Sequence, residues 1–313
     1  MRTRTWLLAQ CFKSTQNLKN QSNTDLITFF GDEMNNTQAF MYAELQDYMT
    51  LRAQTFSTVA NQQYYYNPPD IMNIDTINIL IGAFKHTLTP IDSQRKWDRK
   101  NSLIFQGTAI PENFFQRRDD FGIWPIPQGV YTGTINYTYR LRNLTQTDYT
   151  TGTADVVNGS QTVTGHGTTW LASMAGQWFQ YTSDQNYYRI LSATATTLTL
   201  ENYFQGTTSS GGTYTIGECP EVPPELHELI PYRVASIYYA AFRKDNDQAT
   251  FWSNMFWTGD PTDTSRDMEN AKGGFLGAQK RYSKRHNSRV IRHSDSYEVG
   301  NAMESRRWAT VLS

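Results

Sequence analysis

The sequence predicts an α+β protein: a helical-bundle host with an inserted small all-β module, Ig-like or barrel, and an extended C-terminal arm. Residues 220–257 have the apolar spacing of paired helices, and residues 153–217 alternate short strands with turns. Residues from 278 onward are rich in Lys and Arg. We therefore expect four segments: an N-terminal helix plus strands of the host (1–150), the inserted module (151–218), the host helical hairpin and a following helix (219–277), and the basic arm (278–313).

The helical hairpin has the clearest pattern in the chain. Pro223 and Pro224 stand where a helix begins, because a missing N–H costs least there. The polar run 245–247 breaks the pattern and offers a cap for a second helix. The two helices carry more aromatic surface than they can bury on each other. We therefore expect packing against another part of the chain, a neighbouring copy or another protein at Tyr238, Phe242, Trp252 and Phe256.

The N-terminal half contains some segments with the apolar spacing of helices and others with the alternation of strands. We expect the first twenty residues to be extended and a helix to follow, capped by Asn23 or Thr24. That helix is either one bent helix or two short ones, since Gly31 lies within it. Further along, we expect a strand at 74–81, a short charged helix or loop at 95–101, a proline loop at 122–127 and a strand at 131–141.

The β module differs from its surroundings in composition. Between residues 153 and 217 the charged residues are Asp155, Asp184, Arg189 and Glu201, and the rest is dense in Thr, Ser and Gly. The Asn158-Gly159 pair between β-branched runs is a strong hairpin signal. A short helical piece is expected near residues 170–174. Since helical sequence lies on both sides, we expect the two ends of the module to meet at its base.

Composition argues against several functional classes. The formal net charge is −1, so no overall field draws the chain to nucleic acid or membranes. No window approaches a membrane span. Cys11 and Cys219 lack the spacing of a metal knuckle or redox pair. We expect a soluble protein made in a reducing cytosol.

Motifs for catalysis are weak. His227-Glu228 begins a zinc-protease motif, but Pro231 stands where a second His is required, so Glu225, His227 and Glu228 are predicted to form a solvated helix face. We interpret His166 as part of a flexible turn. His286 and His293 lie among cations that would repel a metal. Glu112 could pair with Asp119 or Asp120 as in glycosidases, but nothing fixes their separation. We therefore expect that the protein has no catalytic activity and binds neither a cofactor nor a metal.

The basic arm carries a better signal. Its cations could neutralise phosphates, the arm could be a solvated terminus, or it could order on a protein partner. The short β-compatible segments 290–291 and 297–299 favour a protein partner. The residues assigned to this arm are Lys280, Arg281, Lys284, Arg285, Arg289, Arg292, Arg306, Arg307 and Trp308.

These features together resemble a known family. The module reads GTADVVNGSQTVTGHGTTWLASMAGQWF and continues into PPELHELIPYRVASIYYAAFRKD, followed by the basic arm. This pattern resembles the head-to-tail adaptor (connector or neck) proteins of tailed bacteriophages, particularly forms with an inserted module. The resemblance is strongest over residues 131–256 and less clear over residues 1–120.

The resemblance implies a structural virion protein in a ring of twelve copies. Such a ring lies in the neck between capsid and tail, after synthesis in the host cytoplasm, and extends the DNA channel. Its expected partners are the portal protein through the arm, a tail or nozzle component, and further copies of itself through the four aromatic residues of the hairpin. Non-specific contact with packaged DNA is a further expectation.

Two other classes stay open at this point. A tail-tip or fibre protein could bind a host glycan through Trp170, Trp178 and Tyr181 of the module. An enzyme such as a glycan hydrolase could use Asp119 or Asp120.

Overall fold

The chain, described here from a computed structural model, is resolved into structure at residues 1–45, 52–102, 107–264 and 273–282. Helices and strands both contribute, which confirms the α+β class. One compact unit is Thr50–Arg142, and Met1–Met49 with Asn143–Ser313 form the other. The helical-bundle description of the host and the four segment boundaries stay predictions. Residues 283–313, most of the predicted arm, lie outside the described part.

Helices belong mainly to the larger unit. In chain order the helices are α1 (Arg4–Ser14), α2 (Thr24–Leu45), α3 (Gln94–Asn101, in the smaller unit), α4 (Ile230–Tyr238), α5 (Asn246–Trp257) and α6 (residues 274–282). Short 3₁₀ helices occupy Leu18–Asn20, Ala172–Met174 and Pro224–Leu229, and a π-helical turn occupies Tyr239–Arg243.

The expectation that the first twenty residues are extended is wrong. They form α1, whose first turn is capped by Thr3: the threonine hydroxyl accepts a hydrogen bond from the Trp6 N–H at 3.4 Å. Leu7 and Cys11, four residues apart, lie on one face and are fully buried. Burial of this face against the following helices stabilises a helix too short to persist alone.

Helix α2 is one continuous helix, which settles the alternative between one helix and two. The predicted cap at Asn23 is confirmed, because its side-chain oxygen accepts from the N–H groups of Asp25 and Leu26 at 2.9 and 3.3 Å. Gly31 does not interrupt it. Phe30 of this helix packs edge-to-face on Phe12, with ring centroids 5.0 Å apart.

The predicted helical hairpin is also confirmed. After α4 the chain passes through the π-helical turn, and Lys244 takes a left-handed conformation with φ 54°. Asp245 then caps α5 by accepting from the Gln248 N–H at 3.0 Å. The two helices are tied by a hydrogen bond from Ser236 Oγ to the Ala249 carbonyl at 3.0 Å.

The β module is a single antiparallel sheet. Its strands are β11 (Thr153–Val156), β12 (Thr162–His166), β13 (Trp178–Tyr181), β14 (Tyr188–Ala193), β15 (Thr197–Leu200), β16 (Ser209–Gly212) and β17 (Tyr214–Gly217), in the spatial order β16-β11-β12-β15-β14-β13-β17. The two outermost strands, β16 and β17, are separated in sequence by Thr213 alone. The sheet must therefore curl until its ends nearly meet, around one apolar core. The paired backbones of Tyr149 and Ile216 bring the start and end of the module together.

The smaller unit is mostly β. Its strands are β1 (Arg52–Ser57), β2 (Tyr64–Tyr66), β3 (Ile71–Ile81), β4 (Phe84–Thr87), β5 (Thr89–Pro90), β6 (Thr108–Ala109), β7 (Asn113–Gln116), β8 (Asp120–Trp124), β9 (Ile126–Pro127) and β10 (Thr132–Tyr139). They form sheets with the orders β1-β10-β3-β4, β2-β8-β7-β5 and β6-β9. The predicted strands at 74–81 and 131–141 correspond to β3 and β10, and residues 94–101 are helical. Trp97 of α3 is fully buried, stacked on Phe115 with centroids 5.6 Å apart.

The predicted proline loop at 122–127 is wrong. Residues 120–124 pair on both sides, with β2 and with β7, and residues 126–127 pair with β6. The prolines do not interfere, since Pro125 follows the last residue of β8 and Pro127 ends the two-residue β9. Gly122 is needed in β8, because a Cβ there would lie 2.4 Å from the Trp97 ring.

The module core supplies a stability prediction. Trp170 Nε1 donates to the Tyr214 hydroxyl at 2.8 Å, and both side chains are 2% exposed. In Tyr214→Phe this indole N–H loses its acceptor, so we expect the free energy of unfolding to fall by about 1–3 kcal/mol. Urea unfolding measures the change. The control, Tyr203→Phe, removes a hydroxyl from a ring that is 62% exposed and should change little; equal effects of the two substitutions would contradict the prediction.

Candidate interaction surfaces

The aromatic residues predicted to contact neighbours differ widely in exposure. Phe242 is 58% exposed, while Tyr238 and Phe256 are 5% and 1% exposed. The Phe242 ring stacks on Tyr238 and contacts Phe29 edge-to-face, with ring centroids 4.7 Å apart. These two contacts fix the orientation of the exposed ring. Of these residues, Phe242 offers the most surface to a partner. Contact with a ring neighbour stays a prediction for all four.

The fourth residue, Trp252, lines a groove between α1 and the α4–α5 hairpin. The groove has a volume of about 430 Å³ and is lined by Trp6, Gln10, Lys13, Ser14, Gln16, Glu228, Pro231, Tyr232 and Trp252. Trp252 lies beside Tyr232, with ring centroids 5.6 Å apart. Its indole N–H has no acceptor among the described residues. That nitrogen is buried, so the surface that Trp252 and its aromatic neighbours offer to another segment is apolar.

The described chain ends close to this groove. Tyr282, at the end of α6, donates from its hydroxyl to the Glu225 carboxylate at 2.6 Å. Gln279 of the same helix donates to Glu44 at 2.9 Å. Helix α6 itself is anchored by Phe275, which is fully buried and stacks on Phe256 at 5.4 Å. Of the predicted arm residues, Lys280 and Arg281 lie on α6 and the others lie outside the described residues.

His227 corrects the predicted solvated helix face. Its side chain is fully buried, whereas Glu225 and Glu228 are exposed. The reason is a pair of backbone contacts: Nδ1 accepts from the Arg2 N–H at 3.1 Å, and Nε2 donates to the Val222 carbonyl at 3.0 Å. Burial lowers the pKa of His227 to about 4, since the charged imidazole would lose its hydration.

The N-terminal residues connect several parts of the larger unit. The Thr3 hydroxyl donates to the Asp148 carboxylate at 2.8 Å, just before the β module. The Arg4 N–H donates to the Glu218 carbonyl at 2.7 Å, just after it, and Arg4 Nε donates to the Leu144 carbonyl at 3.1 Å. One short segment therefore holds both ends of the module against α1.

The module does not offer the predicted glycan platform. Trp170 and Tyr181 are each 2% exposed and belong to its core, which leaves Trp178 as the partly exposed member of the three. Trp170 is fixed there by its hydrogen bond to Tyr214. A sugar-stacking surface needs exposed ring faces, so this alternative loses two of its three residues.

His166 belongs to a polar cluster rather than a flexible turn. Its Nε2 lies 2.7 Å from an Asp155 oxygen, and the other oxygen of Asp155 accepts from Ser210 Oγ and the Gly211 N–H, each at 2.7 Å. These partners lower the pKa of Asp155 to about 2. The carboxylate stands between Ser and His, whereas a hydrolase needs the imidazole in the middle. The cluster therefore ties β11, β12 and β16 together.

The predicted carboxylate pair is not brought together. Asp119 lies in the exposed turn between β7 and β8, with its carboxylate 3.9 Å from Arg118. Glu112 precedes β7 at the opposite end of this hairpin. The five residues between Glu112 and the level of Asp120 span roughly 16 Å, beyond the separation that glycosidases use.

Other chemistry has little support in the described residues. No cluster of three or more His, Cys, Asp or Glu that could hold a metal occurs among them. Cys11 and Cys219 are buried free thiols, and burial raises the pKa of Cys219 to about 12 and that of Cys11 further. Within the same ranges, every helix is too short or too polar to cross a bilayer.

Comparison with known families identifies the kind of protein. Residues 2–161, just over half of the chain, match the family described as SU10 adaptor protein. The chain belongs to this family. It is a structural adaptor protein of a bacteriophage, and family membership implies a non-enzymatic role. No curated protein matches the chain.

The match confirms the adaptor resemblance, but it covers a different part of the chain from the residues in which the resemblance is strongest. It covers α1, α2, the whole smaller unit and the first strand of the module, β11. The resemblance in the sequence was strongest over residues 131–256, so the two overlap only at residues 131–161. Residues 1–120, where the resemblance was less clear, belong to the matched half.

The buried histidine predicts a pH dependence of stability. Its pKa is about 4 in the folded protein and 6.5 ordinarily, so between these values the unfolded chain binds more protons. The stabilisation is therefore complete above pH 6.5 and is lost as pH falls towards 4, by up to about 3 kcal/mol.

The measurement is urea unfolding from pH 7.5 down to pH 4.5, on the original protein and on His227→Gln. Glutamine keeps hydrogen-bonding groups but does not titrate, so the variant should lose less stability over this range than the original. Parallel pH profiles for the two proteins would contradict the assignment.

Proposed function

We propose that this protein forms the head-to-tail adaptor ring in the neck of a tailed bacteriophage, where it joins the portal to a tail or nozzle component and extends the DNA channel. The family match is the observation that carries the proposal. A ring of twelve copies is the arrangement implied by the resemblance. The β module belongs to the same compact unit as helices α1, α2, α4 and α5.

Ring formation needs two different complementary patches on each copy, because a head-to-tail contact is heterologous. Exposed aromatic side chains next to one another are the usual centre of such a patch. Phe242 and Phe251, 58% and 39% exposed, are candidates on the α4–α5 hairpin. Tyr238 and Phe256, which are 5% and 1% exposed, would contribute to the ring contact mainly by supporting these exposed rings.

Portal binding is assigned to the basic arm. Residues 280–313 contain eight Lys or Arg and three Asp or Glu, together with Trp308 as an aromatic anchor. Each arm alone would bind weakly if its charges pair with a partner at a solvated surface. Many arms on one ring would bind together with high avidity. The same cations would give any contact with packaged DNA a steep salt dependence and no sequence preference.

The arm assignment predicts the effect of a truncation. Ending the chain after Gly277 would cut through α6 and remove the fully buried Ala278, so the truncation belongs after Tyr282. We expect the 1–282 protein to keep the circular-dichroism spectrum of a folded chain and a cooperative melting transition, but to lose co-sedimentation with portal rings. Undiminished binding of the truncated protein would show that the arm is not the portal contact.

Two double substitutions that keep the full length of the arm test whether its charge is what binds the portal. Arg289→Gln with Arg292→Gln removes two cations, and Arg289→Lys with Arg292→Lys keeps them. The Gln pair should weaken portal binding about tenfold and the Lys pair much less, if each contact contributes under 1 kcal/mol. Equal weakening by both pairs would point to the guanidinium geometry instead of the charge.

The ring contact predicts a second result. Phe242→Ser removes an exposed ring, so it should leave the monomer folded while abolishing rings in negative-stain micrographs and mass photometry. Leu191→Ser is the control: Leu191 is 62% exposed on the β module and has no assigned contact. Rings formed equally by both variants would exclude Phe242 from the interface.

A further inference from the structure

The groove beside Trp252 has features of a binding site for a segment of chain. Its walls are the rings of Trp6, Tyr232 and Trp252 with Pro231, and polar side chains surround its rim. A volume of about 430 Å³ lies within the range of pockets that hold ligands. The Trp252 ring is the part of this residue that an occupant would contact, because its indole nitrogen is itself buried.

The position where the described chain ends indicates which segment this is. Tyr282 is held at Glu225 by a hydrogen bond of 2.6 Å. Glu225 and Glu228 are three residues apart on the 3₁₀ helix, so their side chains lie on one face, and Glu228 lines the groove. The chain beyond Tyr282 therefore starts about one helical turn from the mouth of the groove, with 31 further residues to follow.

The groove lining itself holds one acid, Glu228, and one base, Lys13, so the acidic side chains that could attract a basic segment lie mainly beside the groove. The exposed carboxylates around the end of α6 are Glu44, Glu225 and Glu228, of which Glu228 already pairs with Arg2 at 2.9 Å. The next residues of the chain include Lys284 and Arg285. More broadly, residues 280–313 hold eight cations and three acids, whereas the rest of the chain holds twenty cations and twenty-six acids. A basic segment attached beside acidic side chains is drawn to them at a high local concentration.

The chain beyond Tyr282 is long enough to bring apolar side chains into the groove. The first adjacent aliphatic pair after Tyr282 is Val290-Ile291. Val290 is the eighth residue after Tyr282, and eight residues of extended chain span up to roughly 27 Å. Aliphatic side chains match the aromatic walls, and burying two of them offsets part of the entropy lost when the segment becomes ordered.

We propose that the groove between α1 and the α4–α5 hairpin binds residues 283–313 of its own chain in the free protein, with Lys284 and Arg285 beside Glu225 and Glu228 and Val290-Ile291 against Trp252. The contact concerns the protein before assembly and does not depend on the portal contact proposed above. If the arm also binds the portal, the groove keeps the arm folded back until a partner competes for it.

Photo-cross-linking of the full chain, without portal, tests this contact. p-Benzoylphenylalanine replaces Lys13 at the groove rim, and in a control protein it replaces Leu191 on the β module. After irradiation, peptides joined to position 13 are identified by mass spectrometry. We expect peptides from residues 283–313 at position 13 and none of them at position 191.

Mixing ¹⁴N and ¹⁵N protein before irradiation distinguishes the occupants. Cross-links confined to one isotope show binding within the chain, as proposed. Mixed-isotope cross-links would overturn the proposal in favour of a neighbouring copy, and cross-links to the groove walls alone would overturn it in favour of an unoccupied groove.

Substitutions in the arm check that the contact is specific and leave the described fold intact. Val290→Ser with Ile291→Ser should lower the yield of arm cross-links at position 13 about tenfold or more. Val299→Ser, a single change further along the arm, is the control and should change the yield little. An unchanged yield in the double variant would exclude Val290-Ile291 as the groove contact, and with it the proposal.

Discussion

The larger unit depends on a short tie made by residues 2–4. Arg2 meets buried His227, Thr3 meets Asp148, and the Arg4 backbone meets Glu218. These contacts join α1 to both ends of the β module and to the 3₁₀ helix before α4. Because the partners are 145 or more residues away in sequence, the contacts close long loops, and much of the unit must be ordered before they form. Their donors and acceptors are largely buried, so breaking one leaves an unsatisfied group.

Contacts between aromatic side chains connect α1, α2, α4, α5 and α6 of the larger unit. Phe12 contacts Phe30, Phe30 contacts Tyr238, and Phe256 stacks on Phe275 of α6. Phe275 lies in the first turn of α6, so its contact with Phe256 fixes the start of this helix. The position of Tyr282 beside Glu225, at the end of the helix, follows from that contact. The surplus aromatic surface predicted from the sequence is thus largely used within the chain, and Phe242 is the main part that remains outside.

The sequence predicted elements whose pattern is local. The α4–α5 hairpin, α2 with its Asn23 cap, β3, β10 and the strands of the module have clear periodicity, and they are present. Helix α1 was missed because its apolar run is short, although Thr3 as a cap and the spacing of Leu7 and Cys11 were available as signals. The strand at 120–124 was missed because its stability comes from pairing on both sides, which the prolines after it conceal. The burial of His227 depends on Arg2, more than two hundred residues away, and no local pattern reveals such a contact.

The distribution of charge explains how one neutral chain can serve in a layered assembly. Its net charge of −1 hides an acidic body and a basic terminal segment. In the free protein the nearest acids to that segment belong to the same chain, and attraction at short range needs no partner. In the proposed ring, the same acidic side chains would be present on every copy. The terminal segment can therefore exchange one acidic surface for another at little net electrostatic cost, and apolar contacts such as those of Val290, Ile291 and Trp308 would decide where it stays.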